Sequence, residues 1–257
     1  MSKTGKVLQV LRLFDDDRRQ LRATDVSRLL GVSSATAYRY VAELQDAGLV
    51  ESPSAGVYVL GPTIVELDRQ IRVHDPLIAA AGDVMKTLAE RTGGAILLAR
   101  LHGQTVLCVH QVRGRLAPAT VSYERGRAMP LYRGATSKII LAHLDRDELR
   151  KLVASDAKGL RQHGLPARLE PLLAYLAGLR ADRVYATAGE VDAEAMGWAA
   201  PIHHGRHLLG SLSVVLSRRA AGPATARIAD QVLRAALRVE GRLGAARPQP
   251  SRGDLDE

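Results

Sequence analysis

Along the first sixty positions, apolar residues recur with the spacing of short amphipathic helices. Val7, Leu8, Leu11 and Phe14 fall at helical intervals and predict a first helix that ends at Asp15-Asp16-Asp17. Leu21-Arg22-Ala23 reads as a short strand. Thr24 as N-cap, Asp25 in the first turn and the face Val26, Leu29, Leu30 predict a second helix, which Gly31 ends. Ser33 or Ser34 then caps a third helix, ATAYRYVAELQDAG, closed by Gly48. Strands at 48–52 and 57–60 follow, and the turn Pro53-Ser54-Ala55-Gly56 makes them a hairpin.

Past Gly61-Pro62 the pattern changes. Ile64, Leu67 and Ile71 mark one face of a linker helix that ends near Asp75-Pro76, and a further helix is expected from Leu77 to Arg91. The run AILLARLHGQTVLCVHQV reads as two strands about the turn His102-Gly103-Gln104. A glycine-rich polar stretch spans 114–129, and a helix is expected over 137–154, split near Asp145. Another over 168–181 precedes strands near 184–187, 195–202 and 208–216, and an amphipathic helix over 224–243 completes the pattern. Strands arrive in hairpins with helices between the groups, which predicts an α+β fold with a largely antiparallel sheet. The expected organisation is 1–61 as a winged helix-turn-helix, 62–75 as linker helix, 76–244 as a second domain, and 245–257 as a disordered tail rich in proline and acids.

Composition narrows the class. Hydrophobic residues make up 46% of the 257, enough for a packed core, and the one cysteine, Cys108, excludes an internal disulfide framework and fits a reducing cytoplasm. No apolar run approaches the ~20 residues that span a bilayer, so no membrane role is expected. The net charge of +9 suggests nucleic acid, but residues 1–74 hold 10 Lys+Arg against 9 Asp+Glu. The basic excess therefore lies in the second domain, and any DNA footprint depends on where individual charges sit.

The densest signal is TDVSRLLGVSSATAYRYVAELQDAGLV, two short helices meeting at Gly31-Val32-Ser33. Ala37, Val41 and Leu44 form an inward stripe, leaving Ala35, Tyr38, Arg39 and Ala42 outward, with Ser34 and Thr36 near the start. Such a helix fits the major groove of double-stranded DNA. Its amides and the Ser34 and Thr36 hydroxyls can hold a phosphate, while Arg39 and Tyr38 can reach a base edge or the backbone.

The segments KVLQVLRLF, TDVSRLLGVSSATAYRYVAELQDAGLVE and VYVLGPTIVEL resemble the N-terminal half of IclR-family regulators. RGRAMPLYRGATSKIILAHL and YATAGEVDAEAMGWAAPIHHGRHLLGSLSVVLS resemble that family's loop-helix and C-terminal signature regions, so the likeness runs to about residue 243. It implies a GAF-like effector-binding second domain, a small organic-acid effector, operator DNA as partner, and a cytoplasmic homodimer or homotetramer acting as a repressor or activator. Two departures stand out. Gly197-Trp198 replaces a small residue, often cysteine, and an aliphatic one, and the wing has Val57 and Val59 where an arginine is common, which leaves Tyr58 as the wing contact. The effector loops implied by the resemblance lie at 125–137 and 190–198. In them Arg125 and Arg133, together with Arg127, suit a carboxylate. Gly134, Ala135, Thr136 and Ser137 offer amides and hydroxyls at a helix start beside Met129, with Glu190 and Trp198 opposite.

Other constellations carry less. Cys108 sits in an apolar strand, as a buried small hydrophobe would. His203, His204 and His207 flank a turn without a fourth ligand, so no metal is assigned. Ser137 and Lys138 are adjacent on a helix and point ~100° apart, which argues against a dyad. No nucleophile elbow or phosphate loop occurs, so neither catalytic residue nor cofactor is expected. The alternatives are an enzyme acting on a small catabolite with a winged-helix tether, and a protein-interaction module that never meets DNA.

Overall fold

The computed structural model describes residues 3–222 and 225–245, and the chain divides into two compact units, Met1–Asp75 and Pro76–Glu257. In the first, α1 (Lys3–Gln9) runs into a 3-10 turn (Val10–Leu13), followed by α2 (Ala23–Leu30) and α3 (Ser34–Asp46). The hairpin β1 (Val50–Ser54) and β2 (Val57–Leu60) comes next, then α4 (Thr63–His74). The second unit contains α5 (Pro76–Thr92), β3 (Ala95–His102), β4 (Thr105–Arg113), β5 (Ala128–Pro130), α6 (Gly134–Ala142), α7 (Arg146–Gln162) and α8 (Leu169–Ala181). It continues through β6 (Tyr185–Ala188), β7 (Ala195–His204), β8 (His207–Ser217), α9 (Arg218–Ala221) and α10 (Thr225–Ala245).

The winged-helix core is built from Val7, Val10, Leu21, Val26, Ala37, Tyr40, Val41, Leu44 and Val50. Ala37, Val41 and Leu44 point inward as the 3.6-residue period requires, and Ala37 is small enough to let α2 and α3 cross closely. Several local expectations need correction. Leu8 and Leu29 are exposed, because Val10 and Val26 take the inward positions. The cap of α2 is Arg22, not Thr24: the Asp25 carboxylate accepts the Arg22 N–H at 2.9 Å, closing the helix start three residues back. That bond holds the Asp25 carboxyl below its ordinary value. Leu21 does not open a strand; it makes one antiparallel bridge to Tyr58.

The second unit is a six-stranded sheet in the order β5-β4-β3-β8-β7-β6, with every neighbouring pair antiparallel. The last long strand, β8, lies beside β3, so hairpins β3–β4 and β7–β8 join into one layer. Strand parity then decides what each residue meets. Ile96, Leu98, Trp198, Ala200, Leu212 and Val214 face the core under α5 and α10. Their neighbours Ala95, Leu97, Ala99 and Val215 face the core beneath α6, α7 and α8. Every residue of α6 is buried, and it packs on β7, β8 and β6. The helix expected to stop at Ala154 continues to Gln162 across a kink at Asp156, where Tyr132 donates to the Asp156 carboxylate and Gly159 leaves room for both. Of the tail expected over 245–257, Ala245 instead closes α10, and the rest lies outside the described residues.

Candidate DNA interface and ligand pocket

The outward stripe of α3 is exposed: Ser34, Ala35, Tyr38, Arg39 and Ala42 all face solvent, Tyr38 at 55%. Ser33 is the N-cap. Its hydroxyl oxygen accepts the Thr36 N–H at 3.3 Å and its O–H donates to Thr36 Oγ1 at 2.9 Å. The Thr36 hydroxyl oxygen accepts within the cap and keeps its own O–H to donate, while among the described residues the Ser34 and Ala35 amides have no partner. Arg39 makes a 3.9 Å ion pair with Glu43, both well exposed, and its guanidinium lies 5.8 Å from the Tyr40 ring centre, contacts too weak to hold it back. An open helix start with one uncommitted arginine and one tyrosine is what phosphate and base-edge contacts need. Tyr58 departs from its expected role. Its backbone exchanges bonds of 2.9 and 2.8 Å with Leu21, and its half-buried ring packs on the winged-helix core rather than out along the wing. The wing tip is tied by Ser52, whose hydroxyl donates to Ser54 O and Val57 O, and Glu51 is the only charged residue of the hairpin.

In the second unit, a pocket opens at the N-terminus of α6, beneath the loops 121–133 and 189–195. Gly134 has φ +78°, and a Cβ there would sit 2.7 Å from Val191, so only glycine brings the helix start this close. The first amides of α6 are already engaged: Gly134 N–H donates to Glu190 Oε2 at 3.0 Å and Ala135 N–H to Thr187 Oγ1 at 3.1 Å. Lys138, nearly buried, donates to Glu190 Oε1 at 2.8 Å and lies 6.0 Å from the Tyr185 ring centre. Tyr123 donates to Arg133 O at 2.6 Å and shares a short bond with Ser137, and burial pushes its phenol well up. The apolar lining comes from Val121, Val191, Ala195 and Val215, while Met196, in phase with Trp198, packs on the other face of the sheet. The cavity holds only about 30 Å³ in this arrangement, little more than one water's share of liquid.

The expected ligand residues divide. Gly134, Ala135, Thr136 and Glu190 line the pocket, and Ser137 lies directly behind it, bonded to Tyr123. Arg133 does not point into the space. Its guanidinium donates to Glu190 O at 2.7 Å and Val191 O at 3.3 Å, clamping one loop to the other. Arg125 is exposed and donates to Val109 O at 3.1 Å. Met129 is core, paired with Val106 across β4 and β5. Trp198 is wholly buried on the opposite face of the sheet, against α5 and α10, and its indole N–H has no partner. Parity forces this: if Gly197 and Ala199 face α6, residue 198 cannot.

Sequence reading passed over Tyr123, Thr187 and Gly197. A signal for Gly197 existed, since glycine inside a strand marks close approach by another group. Thr187 and Tyr123 carried none, because their proximity to α6 arises from β6 pairing with β7 and from the loop's return over the sheet. Cys108 is buried, and desolvation pushes its thiol up to about 12, so it is an inert part of the core.

Comparison with known proteins agrees with this architecture. Residues 4–54 match the IclR helix-turn-helix domain, and residues 70–240 match the bacterial transcriptional regulator IclR C-terminal domain. The HTH-type transcriptional regulator XynR of Escherichia coli is 28% identical over 244 residues, covering 93% of this chain and 96% of that protein. The glycerol operon regulatory protein of Streptomyces griseus is 36% identical over 135 residues, 52% of each chain. Among solved structures, a putative IclR regulator from a Silicibacter species superposes with a TM-score of 0.78 at 27% identity, over 96% of this chain and 98% of that one. An IclR homologue from Microbacterium hydrocarbonoxydans complexed with 4-hydroxybenzoate also reaches 0.78, at 24% identity over 95% and 100% of the two chains. With a helix-turn-helix unit ahead of an antiparallel sheet covered by helices, and with both family domains matched, the chain belongs to the IclR family of DNA-binding transcriptional regulators.

Proposed function

We propose that this regulator reads its operator through Ser34, Ala35, Tyr38 and Arg39 of α3, and that a small organic carboxylate bound at the start of α6 changes its affinity for DNA. The observation that carries the reading is the pocket itself: a helix N-terminus and an apolar wall meet under two loops, with the buried Lys138 bonded to Glu190 of the lining. Amides and lysine suit a carboxylate, and the apolar wall suits a hydrocarbon or aromatic body. The 4-hydroxybenzoate held by the Microbacterium relative belongs to this chemical class.

The pocket's size gives the coupling. About 30 Å³ is far short of the roughly 300 Å³ of an ordinary ligand site. A ligand must part the loops now joined by Arg133 to Glu190 and by Ser122 N–H to Asp192 at 3.0 Å. Binding thus selects a different conformation of this unit, and DNA affinity shifts by the same coupling free energy, typically ~1–3 kcal/mol. The working form is a cytoplasmic homodimer or dimer of dimers on a near-palindromic site, acting as a repressor. Support comes from α4, which buries none of its residues and exposes Val65, Leu67, Ile71 and Val73 for a second copy. Among the described residues no helix is long and apolar enough to cross a membrane.

The test is a shift assay with the DNA upstream of its own gene, at two salt concentrations, with and without 4-hydroxybenzoate and a panel of aliphatic acids. Salt-sensitive specific binding that an acid alters supports the reading. Specific binding that no acid alters, together with no acid binding in calorimetry, refutes the ligand half alone.

A further inference from the structure

We propose that the groove between α5 and α10, on the sheet face opposite the ligand pocket, is a second anion site that takes a small, multiply charged phosphate compound. Four arginines border it: Arg91 from α5, and Arg227, Arg234 and Arg238 from α10. They are spaced by the helical period, at i, i+7 and i+11 along α10, so they share one edge of that helix over ~16 Å. The groove holds about 360 Å³, twelve times the space at the α6 pocket, where about 30 Å³ is open, and it falls within the ordinary range for small-molecule sites. Its floor is apolar, from Val84 and Leu88 of α5 and Ala235 of α10.

The charge in the groove is not balanced. Among the described residues that line it the one carboxylate is Asp230, paired with Arg234 at 2.9 Å. Both side chains of that pair are exposed, so it neutralises little. Among the described residues Arg91, Arg227 and Arg238 have no acidic partner. The nearby carboxylates are committed elsewhere: Asp83 pairs with Lys86, and Glu240 accepts the His203 backbone N–H at 2.7 Å. An adjoining hollow adds Arg113 and Arg115 to the same positive region, and among the described residues that line it Glu90 is the one carboxylate.

Arg234, Arg238 and Arg242 stand four residues apart on α10, an arrangement of like charges that disfavours the helix when nothing lies between them. Guanidinium forks match phosphate oxygens two at a time. Forks separated along a groove require a ligand with several charged groups, and the apolar floor accommodates an uncharged portion. The concave, floored shape between two helices fits a small molecule better than a duplex. This site is independent of the ligand reading for the α6 pocket.

The experiment is calorimetric titration of the full chain with sodium tripolyphosphate, and separately with orthophosphate, at about 50 mM salt, where screening is modest. Saturable tripolyphosphate binding is expected, with orthophosphate at least tenfold weaker. Arg234→Gln with Arg238→Gln should weaken tripolyphosphate at least tenfold, and the charge-conserving Arg234→Lys with Arg238→Lys should fall between. Arg146→Gln with Arg150→Gln, at an exposed site elsewhere, should change it by less than twofold. Melting curves confirm that each variant is folded. Absence of saturable binding overturns the proposal, as does equal loss in the Arg146 and Arg150 variant. A groove variant that weakens operator DNA while tripolyphosphate does not bind overturns it too, and reassigns the arginines to DNA.

Discussion

The starts of α3 and α6 make opposite use of the same physical feature. Each presents backbone amides that favour an anion. At α3 the Thr36 amide is capped by Ser33, the two before it, of Ser34 and Ala35, are open, and Tyr38 and Arg39 project beside them into solvent. At α6 the amides are taken by Glu190 and Thr187, the neighbouring lysine is paired and buried, and two loops are clamped over the top. A surface that meets a polyanion from outside stays unsatisfied and relies on solvent until binding. A helix start inside a fold has no such freedom, because unpaired buried amides and a bare buried lysine would each cost stability. The protein's own Glu190 carboxylate fills the place, so the carboxylate ligand proposed above would have to compete with it.

Substitutions can break or sharpen this contrast. The largest effect is expected from Gly134→Ala, which combines a left-handed backbone with a 2.7 Å clash against Val191. A loss of about 2–5 kcal/mol is expected in the second unit. Calorimetric melting should show that unit's transition lowered while the winged helix is unchanged; a uniform shift of both would mean the units do not fold separately. Next, Arg39→Ala should weaken operator binding by about 1–3 kcal/mol, roughly 5- to 150-fold, with acid binding untouched. Equal loss of acid binding would refute the division of labour.

Ser33→Ala removes the α3 cap and should cost about 1 kcal/mol in the first unit, measured by chemical denaturation. Glu190→Gln tests the competition directly. With the internal charge gone, a carboxylate ligand should bind about 3- to 10-fold more tightly by calorimetry, since like charges crowding one site oppose each other. Weaker binding would show that Glu190 helps hold the ligand instead. The smallest effect concerns His143 at the end of α6. Burial lowers its pKa, helped by the neighbouring His203 and Arg180, against the bond from its ring to Ile139 O. The unfolded chain then binds more protons than the folded one, so stability is lost as pH falls below about 6.5. His143→Gln should reduce the drop in melting temperature between pH 7.5 and 5.5; an unchanged drop would place the acid sensitivity elsewhere.

Much of the DNA-reading unit was legible from periodicity. Ala37, Val41 and Leu44 face inward and Tyr38 and Arg39 outward because a helix of known phase leaves them no choice. The errors were at positions where a competing residue won, as Val10 did over Leu8 and Arg22 over Thr24, and at Tyr58, whose bridge to Leu21 joins residues 37 apart. The ligand pocket was legible only in part. The start of α6 and Glu190 stood out as glycine-rich and charged, but arginines that look ready for a carboxylate can equally bond backbone carbonyls, and Arg133 and Arg125 do so.

The sequence by itself determined the order of elements, the inward stripe of each helix, the antiparallel hairpins and the family, because those depend on local periodicity, turn chemistry and motif spacing. Tertiary structure alone decided that β8 lies beside β3, and with it the phase of every strand against the helices on either side. That phase sends Trp198 away from the pocket and Gly197 into it, brings Tyr123 and Thr187 to the start of α6, and lines four arginines along a groove between helices that begin about 150 residues apart. Such contacts join distant segments, and no local signal in the chain encodes which of its faces will meet.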